Sequence, residues 1–270
     1  MTLLTVIPWR GAGDDAAAGG DPAGSPDGGP DGGTAPPRAA AGAAMAWAPA
    51  VGLLLGVIAS AVLFLADHPL GAGPLTASGL AVGSLALLTR GLHLDGLASG
   101  KPAPAALDIM RRSDIGPLGV VTLVLTLLLQ VAALSQAESA GHGRGPAALI
   151  AAVVTGRLAL TWACRRGVPA ARPDGLGALV AGTVRPVVPA MATAVTLAAA
   201  AAAVAISATV AGGQLGWTLP LAVAAGLAAA FAVQRHAVRR LGGITGDVLG
   251  ALAEIATTVA LVVAAMGPPA

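Results

Sequence analysis

The feature that most constrains this chain is a run from Pro186 to Gln234 that contains no charged residue. A soluble domain needs charged residues on its surface, and about 25% of the residues in an average soluble domain are charged. Here only 10% of the 270 residues are charged, while 56% are hydrophobic. Because about 20 apolar residues cross the hydrocarbon of a bilayer, this run is long enough for two membrane-spanning helices.

The turn-like sequence at 211–214 divides that run into two predicted spans. The other predicted spans are Ala43–Ala66, Pro69–Thr89, Ile115–Ala137, Gly145–Cys164 and a last one from Val248 to the C-terminus. Apolar and polar residues do not alternate within these runs, whereas the strands of a membrane barrel do alternate. The sequence therefore predicts an all-α, polytopic transmembrane bundle of about seven spans.

The predicted spans imply three parts of the chain. Residues 1–10 form an N-terminal segment, and residues 11–42 form a low-complexity insertion rich in Gly, Ala, Pro and Asp. We expect the insertion to be disordered, because its composition cannot bury enough apolar surface to offset the entropy of ordering. Residues 43–270 form the transmembrane helical domain.

The cationic residues of the predicted loops fall almost entirely on one side of the bundle. Twelve of them share that side: Arg10, Arg38, Lys101, Arg111, Arg112, Arg165, Arg166, Arg172, Arg185, Arg235, Arg239 and Arg240. Only Arg144 falls on the other side, and Arg90 and Arg157 lie at or within span ends. Loops rich in Lys and Arg stay in the cytoplasm. The sequence predicts a multi-pass protein of the cytoplasmic membrane with its charged side in the cytoplasm.

Most acids and histidines follow the same asymmetry. The cytoplasmic set is His93, Asp95, Asp108, Asp114, Asp174, His236 and Asp247, and the opposite set is Asp67, His68, Glu138 and His142. Carboxylates bind Mg²⁺, and arginines bind phosphate oxygens, so the cytoplasmic mixture is typical of a phosphate-handling site. The alternative is that the cationic loops only set the topology of the bundle.

Two loop segments before the third span combine acids with basic side chains. Gly91–Leu97 places His93 and Asp95 among glycines, which suits metal binding or proton transfer but also a simple helix-end turn. The segment 108–119 joins two acids to two arginines, which suits phosphate binding but also an amphipathic loop that anchors the next span.

A glycine-rich turn at 241–246 precedes the last span. Such a turn offers backbone N–H groups and the positive end of a helix dipole to an anion such as phosphate. Asp247 and Glu254 are seven residues apart, so they share one helix face, with Glu254 about 10 Å deeper. An ionisable side chain within a span indicates function. Arg157 in the fourth span is similar, and an ion pair between Arg157 and Glu254 would give both a structural role instead.

Cys164 is the only cysteine. One cysteine cannot form an intrachain disulfide or a cysteine-based zinc site. We interpret it as a small apolar packing residue.

Taken together, these segments resemble the cobalamin synthase family, adenosylcobinamide-GDP ribazoletransferase. The similar segments are Leu3–Pro8, Gly91–Ala98, Ile109–Val120 and Leu241–Glu254, which correspond to the family's opening and to its GLHLDGLAD, IMR-x-S-x-IG…GV and GG-x-TGD-x-LGA…E segments. Arg157 and Gly175-Leu176-Gly177 also lie where relatives have similar residues. The resemblance covers nearly the whole chain outside the 11–41 insertion.

The resemblance implies a membrane transferase of late cobalamin biosynthesis. It would join adenosylcobinamide-GDP to α-ribazole or its 5′-phosphate, form adenosylcobalamin or its 5′-phosphate, and release GMP with the help of Mg²⁺. The predicted catalytic residues are His93, Asp95 and Asp247, and the predicted metal ligands are Asp95, Asp247 and Glu254. The predicted phosphate-binding residues are Arg111, Arg112, Ser113, Asp114, Arg157, Gly242, Gly243, Thr245 and Gly246. The expected partners are these small molecules, the lipid bilayer and a second copy of the chain, with no nucleic acid.

The sequence departs from the family after Ala98. Relatives continue there with two further aspartates, at positions i+4 and i+7 from the first, whereas this chain has Ser99 and Pro102. Only Asp95 of that acidic cluster remains, and Ser99 cannot replace a carboxylate charge. The departure calls metal affinity and activity into question but not the fold, because the stretch lies in a loop or helix end.

Two other functions stay open at this stage. A relative without the acidic cluster could bind substrate or partner enzymes without turnover. A small transporter subunit could use Arg157 and Glu254 along a translocation path. A transporter should place its polar groups near the midplane and on both faces, whereas here most of them lie on one side.

Overall fold

The computed structural model describes residues 38–89, 117–141, 143–210 and 215–266. These ranges contain helices and two isolated β-bridges, but no β-strand. The helices are α1 (Arg38–Ala46), α2 (Ala48–Asp67), α3 (Pro74–Leu88), α4 (Pro117–Ser139), α5 (Arg144–Ala163), α6 (Gly175–Val180), α7 (Val187–Val210), α8 (Thr218–Leu241) and α9 (Gly246–Ala265).

The predicted all-α bundle is confirmed, and all seven predicted spans correspond to apolar helices. Six of them are long and apolar enough to cross a membrane, namely α2, α4, α5, α7, α8 and α9. The remaining one, α3, has 15 residues. It begins later than the predicted start at Pro69, because Gly71 and Gly73 adopt positive φ angles of 63° and 78° in the turn that precedes it.

Two parts of the helical structure differ from the prediction. Helix α1 begins at Arg38, within the range 11–42 that was expected to be disordered. The loop between α5 and α7 contains the short helix α6, which the apolar pattern does not predict because its six residues are too few to show a period.

Helix α5 lies at the centre of the bundle, where small residues allow its neighbours to approach closely. It packs against α2, α4, α8 and α9, and nearly all of its residues are buried. A methyl group on Gly52 of α2 would lie 2.8 Å from Arg157, and one on Gly226 of α8 would lie 2.8 Å from Thr155. Hydrocarbon offers no hydrophobic drive for helix association, so such close packing supplies much of the stabilisation.

The described charged loop residues separate between the two ends of the bundle. One end, here called the arginine-rich end, comprises residues 38–46, 164–186 and 235–247. Its parts are joined by hydrogen bonds, since Arg38 donates to the carbonyls of Ala178 and Ala181, and the backbone N–H of Ile244 donates to the carbonyl of Pro169. At the opposite end Asp67, His68 and Glu138 lie together, with ligand atoms within 4.8 Å of one another.

Gly226→Ala should destabilise the protein. Its methyl group would lie 2.7 Å from the carbonyl oxygen of Ala256 and 3.1 Å from Cβ of Ala260, so α8 and α9 must separate. Overpacking of this kind costs about 1–3 kcal/mol. Gly83→Ala is the matched control, because no atom of the described residues lies within 4 Å of its added methyl group, and Ala is favoured over Gly in a helix by about 0.5–1 kcal/mol. Thermal melts in detergent should show a lower Tm for Gly226→Ala only; equal melting of the two variants would contradict the packing argument.

Cys164 should be chemically inert in the folded protein, in agreement with its interpretation as a packing residue. Burial raises the pKa of this thiol from 9.0 to about 12, because the thiolate would lose its hydration. Maleimide at pH 8 should label Cys164 only after denaturation. Since the folded pKa exceeds the unfolded one, the free energy of unfolding should fall as pH rises between those two values. Rapid labelling of the folded protein would refute the buried placement.

Candidate anion site at the arginine-rich end

The glycine-rich turn predicted from the sequence links α8 to α9. Gly242 ends α8 with a φ of 81°, in the left-handed region that glycine adopts without strain. Thr245 is the N-cap of α9, and its hydroxyl accepts a hydrogen bond from the backbone N–H of Val248 at 3.2 Å. The turn therefore stops one helix and starts the next within four residues, which fixes where the first turn of α9 points.

The loop between α5 and α7 holds this turn in place. The backbone N–H of Ile244 donates to the carbonyl of Pro169, and the N–H of Ala171 donates to the carbonyl of Ile244, both at 3.0 Å. A methyl group on Gly243 would lie 2.4–2.5 Å from backbone atoms of residues 169–171, so only glycine fits. Gly177 of α6 is equally restricted, because its methyl group would lie 2.4 Å from the carbonyl oxygen of Ile244.

A cavity of about 140 Å³ lies between the turn and this loop. It is lined by Arg172, Asp174, Gly175, Leu176, Gly177, Ile244, Thr245 and Gly246. The first backbone N–H groups of α9 have no acceptor within the helix, and the positive end of the helix dipole lies there. Together with the Arg172 guanidinium, these groups make the cavity favourable for an anion such as phosphate.

Asp247 lies in the first turn of α9, at the edge of this cavity. Its Oδ2 is 3.8 Å from a guanidinium nitrogen of Arg172, and both side chains are partly exposed. An ion pair at this distance and exposure is weak. Its carboxylate is therefore held near Arg172 yet can exchange that contact for another ligand.

A second polar cluster lies deeper in the bundle, on the same face of α9. Glu254 and Arg157 both line a cavity of about 40 Å³ among α3, α4, α5 and α9, and their charges attract. Gln130 of α4 donates to Glu254 Oε2 at 3.0 Å and to the hydroxyl of Thr258 at 2.9 Å. The structure places Arg157 and Glu254 in one cavity. The ion pair between them, and the structural role that it would give both residues, stay predictions.

The structure brings together part of the predicted site. Gly242, Gly243, Thr245, Gly246 and Asp247 form one turn at the arginine-rich end. Arg157 and Glu254 form the deeper cluster instead. The remaining predicted residues lie outside the described ranges: His93, Asp95, Arg111, Arg112, Ser113 and Asp114. Thr89, one of the residues lining the deeper cavity, is the last described residue before that segment.

Sequence reasoning did not assign Arg172, Asp174 or Gln130 to a site. Arg172 and Asp174 flank Pro173, directly before the Gly175-Leu176-Gly177 stretch, and that proximity is the signal that could have identified them. Gln130 is an amide side chain near the middle of the apolar helix α4, and polar residues at such positions often bond to a neighbouring helix.

The predicted magnesium ligands fit the ion only in part. Asp247 offers a hard carboxylate oxygen at a partly exposed position, as Mg²⁺ requires. Glu254 is already bonded to Gln130 and lies near Arg157, more than a helical turn deeper. Among the residues with described positions, neither acid belongs to a group of three metal-ligating side chains.

These observations define a class of protein: a multi-span helical membrane protein with a cavity beside an arginine and a helix N-terminus at one end. Comparison with known families adds a match to cobalamin-5-phosphate synthase over residues 2–265. The chain is 41% identical to the adenosylcobinamide-GDP ribazoletransferase of Frankia casuarinae, over all of this chain and 94% of the relative.

Other relatives carry the same name. The protein from Nocardioides sp. is 37% identical over 81% of this chain and 84% of its own length. The one from Stutzerimonas stutzeri is 38% identical over 79% of this chain and 83% of its own length. No solved structure matches. The chain belongs to the cobalamin-5-phosphate synthase family, as the sequence motifs predicted.

Gly243→Ala should displace the loop that holds the turn. Because the added methyl group overlaps backbone atoms at 2.4–2.5 Å, the hydrogen bonds of Ile244 to Pro169 and Ala171 must lengthen or break. The cost should be about 1–3 kcal/mol. Trypsin should then cleave after Arg166 faster than in the wild type.

The control for this experiment is Gly246→Ala, whose methyl group would make an ordinary contact at 3.5 Å with Leu176. It should leave the rate of trypsin cleavage unchanged. If trypsin cleaved Gly243→Ala as slowly as this control, the contact between the loop and the turn would not be what holds the turn in place.

Proposed function

We propose that this chain is an adenosylcobinamide-GDP ribazoletransferase. It joins adenosylcobinamide-GDP to α-ribazole or its 5′-phosphate, produces adenosylcobalamin or its 5′-phosphate, and releases GMP. Family membership supports this proposal, and relatives that align over most of both chains are adenosylcobinamide-GDP ribazoletransferases by name.

The observation that carries the proposal is the cavity between Arg172 and the first turn of α9. The substrate contains a pyrophosphate, and the cavity presents a guanidinium and a helix N-terminus, both of which favour phosphate oxygens. Gly243 and Gly177 let the turn and the loop pack in direct contact, which holds the two walls of the cavity in place.

Phosphoryl transfer needs positioning and charge stabilisation more than covalent help from the protein. In the proposed reaction an oxygen of the ribazole substrate attacks the phosphorus bound to the cobinamide side. The bond to GMP breaks, and GMP leaves with the electron pair. Arg172 and the N–H groups of α9 bind the pyrophosphate oxygens and stabilise the charge that develops there.

Asp247 has two roles in this scheme. It keeps Arg172 oriented in the resting protein, and its carboxylate is available as a ligand for Mg²⁺ together with Asp95. Bound Mg²⁺ would neutralise pyrophosphate charge. His93, Arg111 and Arg112 remain candidates for proton transfer and phosphate binding. Glu254 supports the first turn of α9 from below, through its bond to Gln130.

The arginine-rich end is the cytoplasmic end in this proposal, and the membrane is the cytoplasmic membrane. The bias of arginines toward that end supports the orientation, since Arg166, Arg185, Arg235 and Arg239 are all exposed there. Substrates made in the cytoplasm would then reach the cavity without crossing the bilayer.

Asp247→Asn should abolish GMP release. Membranes containing the full chain would be incubated with adenosylcobinamide-GDP, α-ribazole and Mg²⁺, and GMP would be measured. The asparagine keeps the size of the side chain but removes the charge that orients Arg172 and binds a cation, so we expect a loss of about 100-fold or more. Asp67→Asn, an acid at the opposite end, should retain activity.

The outcomes separate the alternative functions. Wild-type GMP release that Asp247→Asn leaves intact would remove Asp247 from the site. Binding of adenosylcobinamide-GDP by the wild type without GMP release would identify the impaired relative that lacks the acidic cluster. Uptake of a solute into vesicles without either effect would indicate a transporter.

A further inference from the structure

A second cavity, unrelated to the anion site, opens between α7 and the rest of the bundle. Its volume is about 480 Å³, within the range of about 300–1,000 Å³ that ligand pockets have. Residues from four helices line it, among them Leu53 of α2, Ile150 and Val154 of α5, Ala199 and Ala203 of α7, and Val223 of α8.

The lining of this groove is apolar. The hydroxyl of Thr196, which lies in the groove, donates to the carbonyl of Ala192 within its own helix, so it offers no donor to a ligand. Apolar cavities stay free of water, because water finds no hydrogen-bond partners there. Hydrocarbon is the medium that suits such a lining.

The groove is about as long as one leaflet is thick, and it lies along the central part of α7. On α7 the lining residues extend from Ala192 to Ala203, which is about 16 Å at 1.5 Å per residue. Half of the hydrocarbon thickness is about 15 Å. Helix α7 is also loosely packed, since only 11% of the residues in its most apolar 18-residue stretch are buried inside the protein. An acyl chain can therefore enter from the side.

Two arginines lie beyond the end of the groove at the arginine-rich end. Arg185 precedes the first residue of α7 by two positions, and the backbone N–H of Arg166 donates to the carbonyl of Val184 at 2.8 Å. The end of the groove at Ala192 lies near these arginines. Its neighbour Thr193 accepts a hydrogen bond from the indole N–H of Trp162, which precedes Arg166 by four residues. Both arginine side chains are exposed, and the described carboxylates form no ion pair with either.

We propose that this groove is a binding site for one anionic phospholipid. An acyl chain fills the apolar groove beside α7, and Arg166 and Arg185 bind the phosphate of the headgroup. Charge complementarity selects the headgroup, because exposed arginines next to a membrane span attract anionic lipid. The short side chains of Ala199 and Ala203 leave the space that the acyl chain occupies.

The test uses the full chain reconstituted into vesicles of equimolar phosphatidylcholine and phosphatidylglycerol. After extraction in mild detergent, native mass spectrometry counts and identifies the lipids that stay bound. We expect one tightly retained lipid, with phosphatidylglycerol preferred roughly thirtyfold, as two arginines near the surface would give. If the wild-type protein retained the two lipids in the equimolar ratio of the vesicles, the assignment of the headgroup site would be wrong.

The groove is tested by filling it. Ala199→Leu with Ala203→Leu should reduce the retained lipid roughly tenfold, because each added side chain displaces acyl methylenes. The matched control is Ala198→Leu with Ala202→Leu, which adds the same groups at the same spacing on exposed positions of α7 outside the groove. Equal lipid retention by the two double variants would refute the groove as the site.

The headgroup site is tested by removing charge. Arg166→Gln with Arg185→Gln should keep a bound lipid but lose the preference for phosphatidylglycerol. Arg235→Gln with Arg239→Gln removes two exposed arginines from the same end, on α8, and should keep the preference. Loss of preference in both variants would show a general surface potential instead, and displacement of the lipid by inorganic phosphate would show a free phosphate site.

Discussion

The contact on which the rest of the bundle depends is the one between Glu254 of α9 and Gln130 of α4, beside Arg157 of α5. In hydrocarbon an unsatisfied polar group costs several kcal/mol, so these side chains must find one another for the helices to pack at all. The contact fixes the depth and rotation of α9 relative to two neighbours. Because a helix transmits its register along its length, the first turn of α9 is thereby placed at the arginine-rich end.

Small residues then decide how tightly the fixed helices pack. Gly226 brings α8 against α9, while Gly52 lets α2 pack against the stem of Arg157. Glycines also allow close packing of loops at the arginine-rich end. Gly243 lets the α8–α9 turn pack against residues 169–171, and Gly177 of α6 lets that helix pack against Ile244 of the turn. Polar contacts set register and glycines set distance, and the anion cavity results from both.

The sequence predicted the parts of this structure that depend on composition along one helix. Apolar runs predicted the spans, arginines predicted the two ends, and the Gly242–Gly246 pattern predicted the turn that precedes the N-terminus of α9. The contacts of Gln130 and Arg172 were not predicted, because they depend on how separate segments rotate and fold against one another. Arg157 and Glu254 could be proposed as partners, but only the packing of α5 against α9 shows which other residues share their cavity.

The two ends of the bundle differ in the charge of the ligands that they favour. At one end Arg172, the start of α9 and the exposed arginines at Arg166 and Arg185 all favour anions, and the acids described beside Arg172 are Asp174 and Asp247. At the other end two carboxylates lie beside His68. The proposed pyrophosphate site and the proposed lipid headgroup site therefore share one end of the bundle. Arg166 and Arg185 lie on the α7 side and Arg172 at the α9 turn, so the two proposed sites use different arginines.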